Sequence, residues 1–278
     1  TPEKSALLVG KPGIGKTAIV EGIAYLIQRN EVPDALKGYR IVRLNATSLL
    51  GTMTIDGREV LVANQLVEEL KRVEKVILFI DEIHMLIGSK EDGPMDLANI
   101  LKAGLDRGDI KAIGATTTIE YETYILRDRA FLRRFEKIDV LEPNEEVTVK
   151  ILMGTIPKLE KQTGVKIKYN EYVTNLLVKA IVSATSEFKR VYGIAAMYPD
   201  VALSVLSQAF STALYHNKKE VDVEDFYNAI KSSRKIYPDS IIKELDQFRD
   251  NFKDLCQQEN IVLPVVKLED LEREQIEL

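Results

Sequence analysis

Eight residues near the start of the chain, GKPGIGKT from Gly10 to Thr17, have the glycine, lysine and threonine spacing of a loop that binds nucleotide phosphates. The loop follows an apolar run, SALLVG, and precedes a stretch with helical spacing, which is the context such a loop requires. We predict that Lys16 reaches the terminal phosphates and that the Thr17 hydroxyl binds Mg²⁺. The predicted nucleotide contacts in this loop are Pro12, Gly13, Ile14, Gly15, Lys16, Thr17 and Ala18. The alternative is a tight strand-to-helix turn that binds nothing.

A second chemical feature is the acidic pair that ends the run VILFIDE, residues 76–82. The apolar residues predict a buried strand, and Asp81 and Glu82 emerge where it ends. Ligands of open α/β sheets bind outside the carboxyl ends of the strands, so we expect the pair to meet the phosphate loop. Asp81 would hold Mg²⁺ and contact the nucleotide, and Glu82 would polarise an attacking water. The pair favours ATP hydrolysis; the alternative is an acidic cap on a helix that begins at Glu82.

The elements that must position these residues alternate along the first half of the chain. Five apolar runs, SALLVG, YRIVRL, VILFID, KAIGAT and EKIDVL, are separated by stretches with helical spacing. This alternation predicts an α/β domain over residues 1–142, with a doubly wound parallel sheet and helices on both faces.

Helical patterns dominate after Pro143. We predict helices at 145–161, 171–185, 199–215 and 223–234, with a start at Pro143 or Asn144 and a kink or early stop at Pro157. Residues 143–235 are therefore predicted to form a small helical domain. Residues 236–278, including one amphipathic helix in SIIKELDQFRDNFKDLCQQ, are predicted to be a linker or tail.

Composition narrows the possible partners. The net charge of −5 and the pI of about 5.4 argue against a large face for nucleic acid. A single cysteine, Cys256, excludes an internal disulfide, and two histidines, His84 and His216, are predicted to be structural. No apolar run approaches the roughly 20 residues of a membrane helix, so we expect no membrane partner and a cytoplasmic location, with an organelle matrix as the alternative.

The sequence resembles the Clp AAA+ unfoldases, and specifically the first ATPase domain of ClpA, ClpB and ClpC. The resemblance is carried by GKPGIGKTAIVEGIA, EVPDALKGYRI, VILFIDEIHMLIGS, DGPMDLANILKAGLDRGDIKAIGATT, EY with LRRFEKI, and PDVAL, in family order over most of residues 5–235. It implies the P-loop AAA+ fold, a large α/β domain followed by a small helical lid, with ATP and Mg²⁺ as ligands.

The resemblance also implies roles for residues outside the phosphate loop. Thr117 matches the family's sensor at the end of a neighbouring strand, which contacts the attacking water or the γ-phosphate. Arg133 and Arg134 match paired arginines that reach the nucleotide of the next subunit, which implies a homohexameric ring. Pro199 and Asp200 match a segment near the adenine. Protein substrates or adaptors are implied partners, and docking of a ClpP-like protease through a region outside this sequence is left open.

Three features depart from the family pattern. The stretch GTMTIDGRE, residues 51–59, lacks the usual aromatic residue of the substrate-binding pore loop. Ala196 replaces an arginine that senses nucleotide in the family. No coiled-coil middle domain follows PDVAL, a layout more like ClpA than ClpB.

The leading hypothesis is an ATP-hydrolysing ring that unfolds, translocates or remodels proteins. The alternative is a nucleotide-dependent assembly or scaffold ring with little threading, which the missing aromatic motivates. A third hypothesis, an AAA+ remodeller of nucleic acid, is disfavoured by the acidic composition.

Overall fold

A computed structural model describes residues 4–45, 51–87, 103–105, 110–193 and 196–267. The chain divides into two compact units, residues 1–141 and 142–278, and each is described by itself. Within the described residues, no helix combines the length and the apolar character needed to cross a membrane.

The first unit is built on a five-stranded parallel sheet with the order β2-β5-β6-β1-β7. The strands of this unit are β1 (Ser5–Val9), β2 (Arg40–Asn45), β3 (Thr52–Ile55), β4 (Arg58–Leu61), β5 (Val76–Asp81), β6 (Lys111–Thr116) and β7 (Phe135–Asp139). The five apolar runs of the sequence form the five strands of the large sheet, which confirms the prediction of a parallel α/β domain.

Helices cover both faces of this sheet, as predicted. Strand residues alternate between the two faces. Leu8 and Phe79 pack with Val20 of helix α1 (Lys16–Gln28) on one face. Leu7 and Leu78 pack with Val67 of helix α2 (Val62–Leu70) in a separate cluster. Short helical turns occupy Asp34–Leu36, Ile83–Leu86, Thr118–Glu120, Tyr121–Ile125 and Arg129–Leu132.

Strands β3 and β4 form a separate antiparallel hairpin. Its turn is Asp56–Gly57, and both residues have positive φ, 49° and 75°. An Asp-Gly pair in this conformation is the favoured two-residue connection between antiparallel strands. The segment that the resemblance aligns with the family pore loop is therefore a β-hairpin, and Met53 on β3 is 41% exposed.

The second unit is a helical bundle. Its elements are α3 (Glu145–Thr163), β8 (Lys166–Ile167), α4 (Glu171–Val191), α5 (Asp200–Tyr215), β9 (Glu220–Val221), α6 (Val223–Ser232), α7 (Ile241–Asn251) and α8 (Lys253–Glu259). Side chains of Asn144 and Asn170 cap α3 and α4 by accepting hydrogen bonds from Val147 N and Val173 N at 2.8 and 3.0 Å. These local signals explain why the helix starts were predictable.

Helix α3 continues through Pro157 to Thr163, so the expectation of an early stop at Pro157 is wrong. Proline removes one helical hydrogen bond and crowds the preceding turn. Pro157 lies on the exposed side of the helix, where water can bind the carbonyl that the missing N–H leaves unpaired.

The segment after residue 236 differs from the predicted linker. Leu245, Phe248 and Phe252 are buried in the same core as the bundle helices, and the described part of the segment, through residue 267, belongs to the second unit. The single predicted helix is also two helices, α7 and α8, separated at Phe252. Burial of this apolar face stabilises the segment against the bundle.

Candidate nucleotide site

The phosphate loop connects β1 to α1, as the sequence predicts. Gly15 precedes the helix with φ at 99°, in the left-handed region that glycine adopts without steric cost. Gly10 lies so close to the end of β7 that a β-carbon there would be 2.7 Å from the carbonyl oxygen of Val140. The spacing of these glycines therefore reflects both the turn into α1 and the close packing of the loop on its neighbouring strand.

Lys16 is the first residue of α1, and its side chain folds over the loop. Its Nζ donates hydrogen bonds to the carbonyl oxygens of Gly10 and Lys11, at 2.7 and 3.0 Å. Partial burial lowers the pKa of the Lys16 ammonium, and the charges of Asp81 and Glu120 oppose that shift. The cation is thus held at the mouth of the loop, among backbone groups and carboxylates.

Asp81 at the end of β5 joins the two sequence motifs. Its Oδ2 accepts a hydrogen bond from the Thr17 hydroxyl at 3.2 Å, and its Oδ1 accepts one from the backbone N–H of Glu82 at 3.1 Å. Residues 64 positions apart in sequence are therefore in direct contact, because α1 and β5 both present them at the carboxyl edge of the sheet.

Glu82 has φ 52° and ψ 41°, the left-handed conformation that is uncommon outside glycine. This turn ends β5 and precedes the helical turn at Ile83–Leu86. The side chain is exposed, whereas that of Asp81 is 29% exposed. Strained backbone of this kind costs of order 1–3 kcal/mol and is concentrated at functional sites.

Thr117 follows β6, which lies beside β1 in the sheet. The N–H of Gly10 donates to the carbonyl oxygen of Thr116 at 3.3 Å, so Thr117 lies next to the start of the phosphate loop. Its hydroxyl accepts a hydrogen bond from the N–H of Glu120 at 3.4 Å. The structure therefore brings Lys16, Thr17, Asp81, Glu82 and Thr117 to one edge of the sheet.

Arg133 and Arg134 lie at the opposite end of the strands from the phosphate loop. They precede β7, and the N–H of Ser5 at the start of β1 donates to the carbonyl oxygen of Arg134 at 2.9 Å. The phosphate loop follows the opposite end of β1, about 15 Å away for a five-residue strand. Arg133 is exposed, and a guanidinium nitrogen of Arg134 donates to the Ala130 carbonyl. These arginines therefore lie far from the phosphate loop of their own chain.

The remaining predicted residues belong to the helical unit. Pro199 is buried at the start of α5, and Asp200, its first helical residue, is exposed. Ala196 is fully buried, and its N–H donates to the carbonyl oxygen of Tyr192 at 2.9 Å. An arginine at position 196 would not fit without rearrangement. Contact of Pro199 and Asp200 with adenine stays a prediction.

Two charged residues at the site were not found by sequence reasoning. Arg43 on β2 forms an ion pair with Asp81, with Nη2 3.2 Å from Oδ2. Glu120 has a buried Oε2 with no hydrogen-bond partner among the described residues, and its charge acts on Lys16. Arg43 belongs to no spaced motif, and Glu120 lies in the EY pair of the family resemblance without an assigned role; both reach the site because neighbouring strands bring them there.

The residues present fit Mg²⁺ bound together with a nucleotide. Magnesium prefers oxygen ligands and is usually held by one or two protein groups plus phosphates and water. Thr17 and Asp81 supply such oxygens at 3.2 Å from one another. Among the described residues, no group of three acidic, histidine or cysteine side chains is arranged to hold a metal ion alone.

The parallel sheet, the phosphate loop after β1 and the acidic pair after β5 define a P-loop nucleoside triphosphatase. Residues 6–141 match the model of the ATPase family associated with various cellular activities, AAA. The first unit is therefore an AAA+ ATPase domain that binds nucleotide.

Comparison with related sequences shows which AAA+ proteins the chain is similar to. The chain is 40% identical over 212 residues to the chaperone protein ClpB of Staphylococcus epidermidis and 42% identical over 211 residues to ClpB of Aquifex aeolicus. These matches cover 76% and 74% of the chain but 23% and 20% of the relatives. The chain therefore spans between a fifth and a quarter of the length of these two relatives.

Solved structures of a related protein, Hsp104, are also similar to this chain. A closed-state reconstruction of Hsp104 with ATPγS and FITC-casein has a TM-score of 0.61 at 35% identity, covering 81% of this chain and 38% of that one. An ADP complex of Hsp104 from S. cerevisiae has a TM-score of 0.62 at 30% identity, covering 91% and 45%. The chain belongs to the Clp family of AAA+ ATPases, which confirms the resemblance. The ClpA-like layout stays a prediction.

Proposed function

We propose that the chain hydrolyses Mg²⁺-bound ATP at this edge of the sheet and works in a ring that unfolds, translocates or remodels proteins. The observation that carries the chemical part is the hydrogen bond from Thr17 to Asp81, which joins the phosphate loop to the acidic strand end. This contact places a loop that can bind phosphate beside a carboxylate that can bind Mg²⁺.

Each residue has a defined task in this proposal. Lys16 exchanges its two loop carbonyls for the terminal phosphates, and Thr17 and Asp81 hold the metal shell. Bound Mg²⁺ supplies charge neutralisation of the phosphates and orients them. Glu82 orients an attacking water and accepts its proton, and Thr117 contacts that water or the γ-phosphate.

Hydrolysis in this proposal also needs a second subunit. Arg133 and Arg134 lie at the amino end of β1, away from their own phosphate loop, so in this proposal their guanidinium groups serve the nucleotide of a neighbouring subunit. A head-to-tail interface that repeats until it closes gives a ring in which each site receives these arginines. Such arginine fingers are worth about 10³ to 10⁵ in rate in well-studied cases.

The hydrolytic assignment is tested by Glu82→Gln in the full chain, with Glu74→Gln as a matched control outside the site. We expect Glu82→Gln to retain ATP binding and to lose about 10²-fold or more in turnover, the usual contribution of a general base. Glu74→Gln should hydrolyse like the unsubstituted protein. Turnover by Glu82→Gln at the unsubstituted rate would refute the role of Glu82.

The action on proteins rests on the relatives, which include ClpB chaperones and a structure of Hsp104 with casein. The hairpin of β3 and β4 is the candidate contact surface. Met53 and Ile55 alternate with Thr52 and Thr54 on β3, so each pair shares a face. We expect the double variant Met53→Ala/Ile55→Ala to abolish stimulation of ATP hydrolysis by casein, whereas Thr52→Ala/Thr54→Ala should retain it.

The second candidate function is a scaffold ring that uses nucleotide mainly for assembly. The hairpin carries no aromatic residue, and buried Ala196 cannot supply the cation that the family uses to sense nucleotide. Slow ATP turnover that casein leaves unchanged, together with nucleotide-dependent oligomerisation in size-exclusion chromatography, would favour the scaffold over the unfoldase.

A further inference from the structure

Arg43 is a positively charged residue that lies beside Asp81, the proposed Mg²⁺ ligand. It belongs to none of the motifs identified in the sequence. Its Nη2 lies 3.2 Å from Oδ2 of Asp81, the same oxygen that accepts the Thr17 hydrogen bond at 3.2 Å. Its guanidinium also lies 5.9 Å from the centre of the Phe79 ring. A single carboxylate oxygen is thus shared between the proposed Mg²⁺ ligand Thr17 and the guanidinium of Arg43, whose side chain is 61% exposed.

The strand register accounts for this position. In the pairing of β2 with β5, Arg43 is opposite Phe79 and Asn45 is opposite Asp81. Alternation places Arg43 on the same face of β2 as Ile41, which packs in the cluster with Phe79 and Val20 of α1. The guanidinium therefore lies on the face of the sheet from which α1 presents Thr17.

Charge determines what Arg43 does there. Without metal, its guanidinium compensates the Asp81 carboxylate, which would otherwise repel a nucleotide phosphate. With metal, the same guanidinium and Mg²⁺ attract the same oxygen, so binding of the ion weakens or displaces the Arg43 contact. Arg43 therefore favours nucleotide binding when Mg²⁺ is absent and opposes Mg²⁺ binding when the ion is present.

We propose that Arg43 is a built-in competitor for the magnesium site. It supports metal-free nucleotide binding and raises the Mg²⁺ concentration at which the metal enters. The inference rests on nucleotide binding at the proposed site and adds a residue that sets its metal dependence. Arg43 acts through Asp81 and is a positioning residue.

The test is binding of a fluorescent ADP analogue, mant-ADP, to the full chain, because ADP leaves hydrolysis out of the measurement. Affinity is measured in EDTA and across a Mg²⁺ titration for the unsubstituted protein and for Arg43→Gln. We expect Arg43→Gln to weaken binding in EDTA by about threefold and to lower the half-saturating Mg²⁺ concentration by about threefold, the scale of an exposed ion pair.

Two variants complete the comparison. Arg40→Gln removes the same charge from the opposite end of β2 and should leave both quantities unchanged. Arg43→Lys retains a cation and should restore most of the unsubstituted behaviour in both conditions. Thermal unfolding of each variant verifies that the fold is intact.

The outcomes separate this inference from the proposed function. If the unsubstituted protein binds mant-ADP neither in EDTA nor in Mg²⁺, both the inference about Arg43 and the proposed function are overturned. If it binds and Arg43→Gln behaves like Arg40→Gln, the competitor role alone is wrong. If Arg43→Gln weakens binding in EDTA and also raises the Mg²⁺ requirement, Arg43 supports the metal site instead of competing for it, and the proposal is overturned.

Discussion

The imidazole Nδ1 of His84 and the hydroxyl of Thr116 share a hydrogen bond of 3.0 Å that joins the turn after β5 to the end of β6. His84 follows Glu82 by two residues, and Thr116 immediately precedes Thr117. The ring of Tyr124 stacks on His84 with centroids 6.0 Å apart. This bond therefore connects the segments that carry the proposed general base and the proposed sensor.

We predict that His84→Ala lowers kcat for ATP by about tenfold and leaves nucleotide affinity unchanged, because a small displacement of catalytic groups is enough for such a loss. Thr116→Val should have a similar effect. The double variant should be no worse than either single one, because both remove the same bond. His216→Ala, at the exposed end of α5, is the matched control and should be neutral.

Additive losses from His84→Ala and Thr116→Val would show that the two residues act independently. A fall in nucleotide affinity with kcat unchanged would instead assign the bond to substrate binding.

The location of Arg133 and Arg134 predicts complementation between two inactive proteins. Arg133→Ala/Arg134→Ala keeps an intact phosphate loop, and Lys16→Ala keeps intact arginines. In a ring with head-to-tail interfaces, about a quarter of the sites in an equal mixture combine both intact parts. We expect the mixture to regain ATP hydrolysis that neither protein has alone.

The control for complementation is Arg127→Ala/Arg129→Ala, which removes two nearby exposed arginines and should stay active by itself. A mixture that hydrolyses no ATP, although both variants assemble, would contradict action across the interface.

The parts of the site that sequence predicted are those built from local signals. Gly10 to Thr17 form the loop because glycine spacing and the adjoining β1 and α1 patterns are contiguous. Asp81 and Glu82 were identifiable because they end a short apolar strand. The sheet edge then brought the two segments together by a general property of parallel sheets.

The parts that sequence did not predict depend on pairing between distant segments. Arg43 contacts Asp81 across 38 residues, and only the register of β2 on β5 makes that contact possible. Glu120 acts on Lys16 because β6 lies beside β1. Burial of Phe248 similarly depends on packing against the bundle, which helical periodicity alone does not reveal.

Gly10 and Gly22 predict opposite effects for the same substitution. Gly10→Ala would place its β-carbon 2.7 Å from the Val140 carbonyl oxygen, whereas a β-carbon at Gly22, inside α1, meets no atom within 4 Å. We expect Gly10→Ala to destabilise the protein by about 1–3 kcal/mol and to weaken nucleotide binding. Gly22→Ala should stabilise it by about 0.5–1 kcal/mol.

Thermal or urea unfolding followed by circular dichroism measures both stability changes, and calorimetric titration with ADP measures binding. If Gly10→Ala is as stable as the unsubstituted protein, the loop moves away from β7 without cost and the expected clash is wrong.

The helical unit contains a buried charge cluster whose loss should be visible in stability alone. Nζ of Lys218 lies 2.8 Å from Asp222 and 2.7 Å from Asp225, and Asp225 is 3% exposed. Both carboxylates also complete the cap of α6. We expect Lys218→Met to destabilise the protein by about 2 kcal/mol, less than for a fully buried pair because Lys218 is partly exposed. Lys219→Met, on an exposed neighbour, should be neutral.

This effect should depend on pH in a defined direction. Burial is the largest single influence on the pKa of Asp222 and opposes ionisation, but the hydrogen bond and charge of Lys218, together with hydrogen bonds from Asp225, outweigh it and hold that pKa below its ordinary value. A carboxylate with a lowered folded-state pKa stabilises the fold at neutral pH, and that contribution is lost as the pH falls through the lowered pKa. The stability difference between the unsubstituted protein and Lys218→Met, measured by urea unfolding, should therefore shrink in acid. A constant difference would assign it to lost packing of the lysine stem and not to its charge.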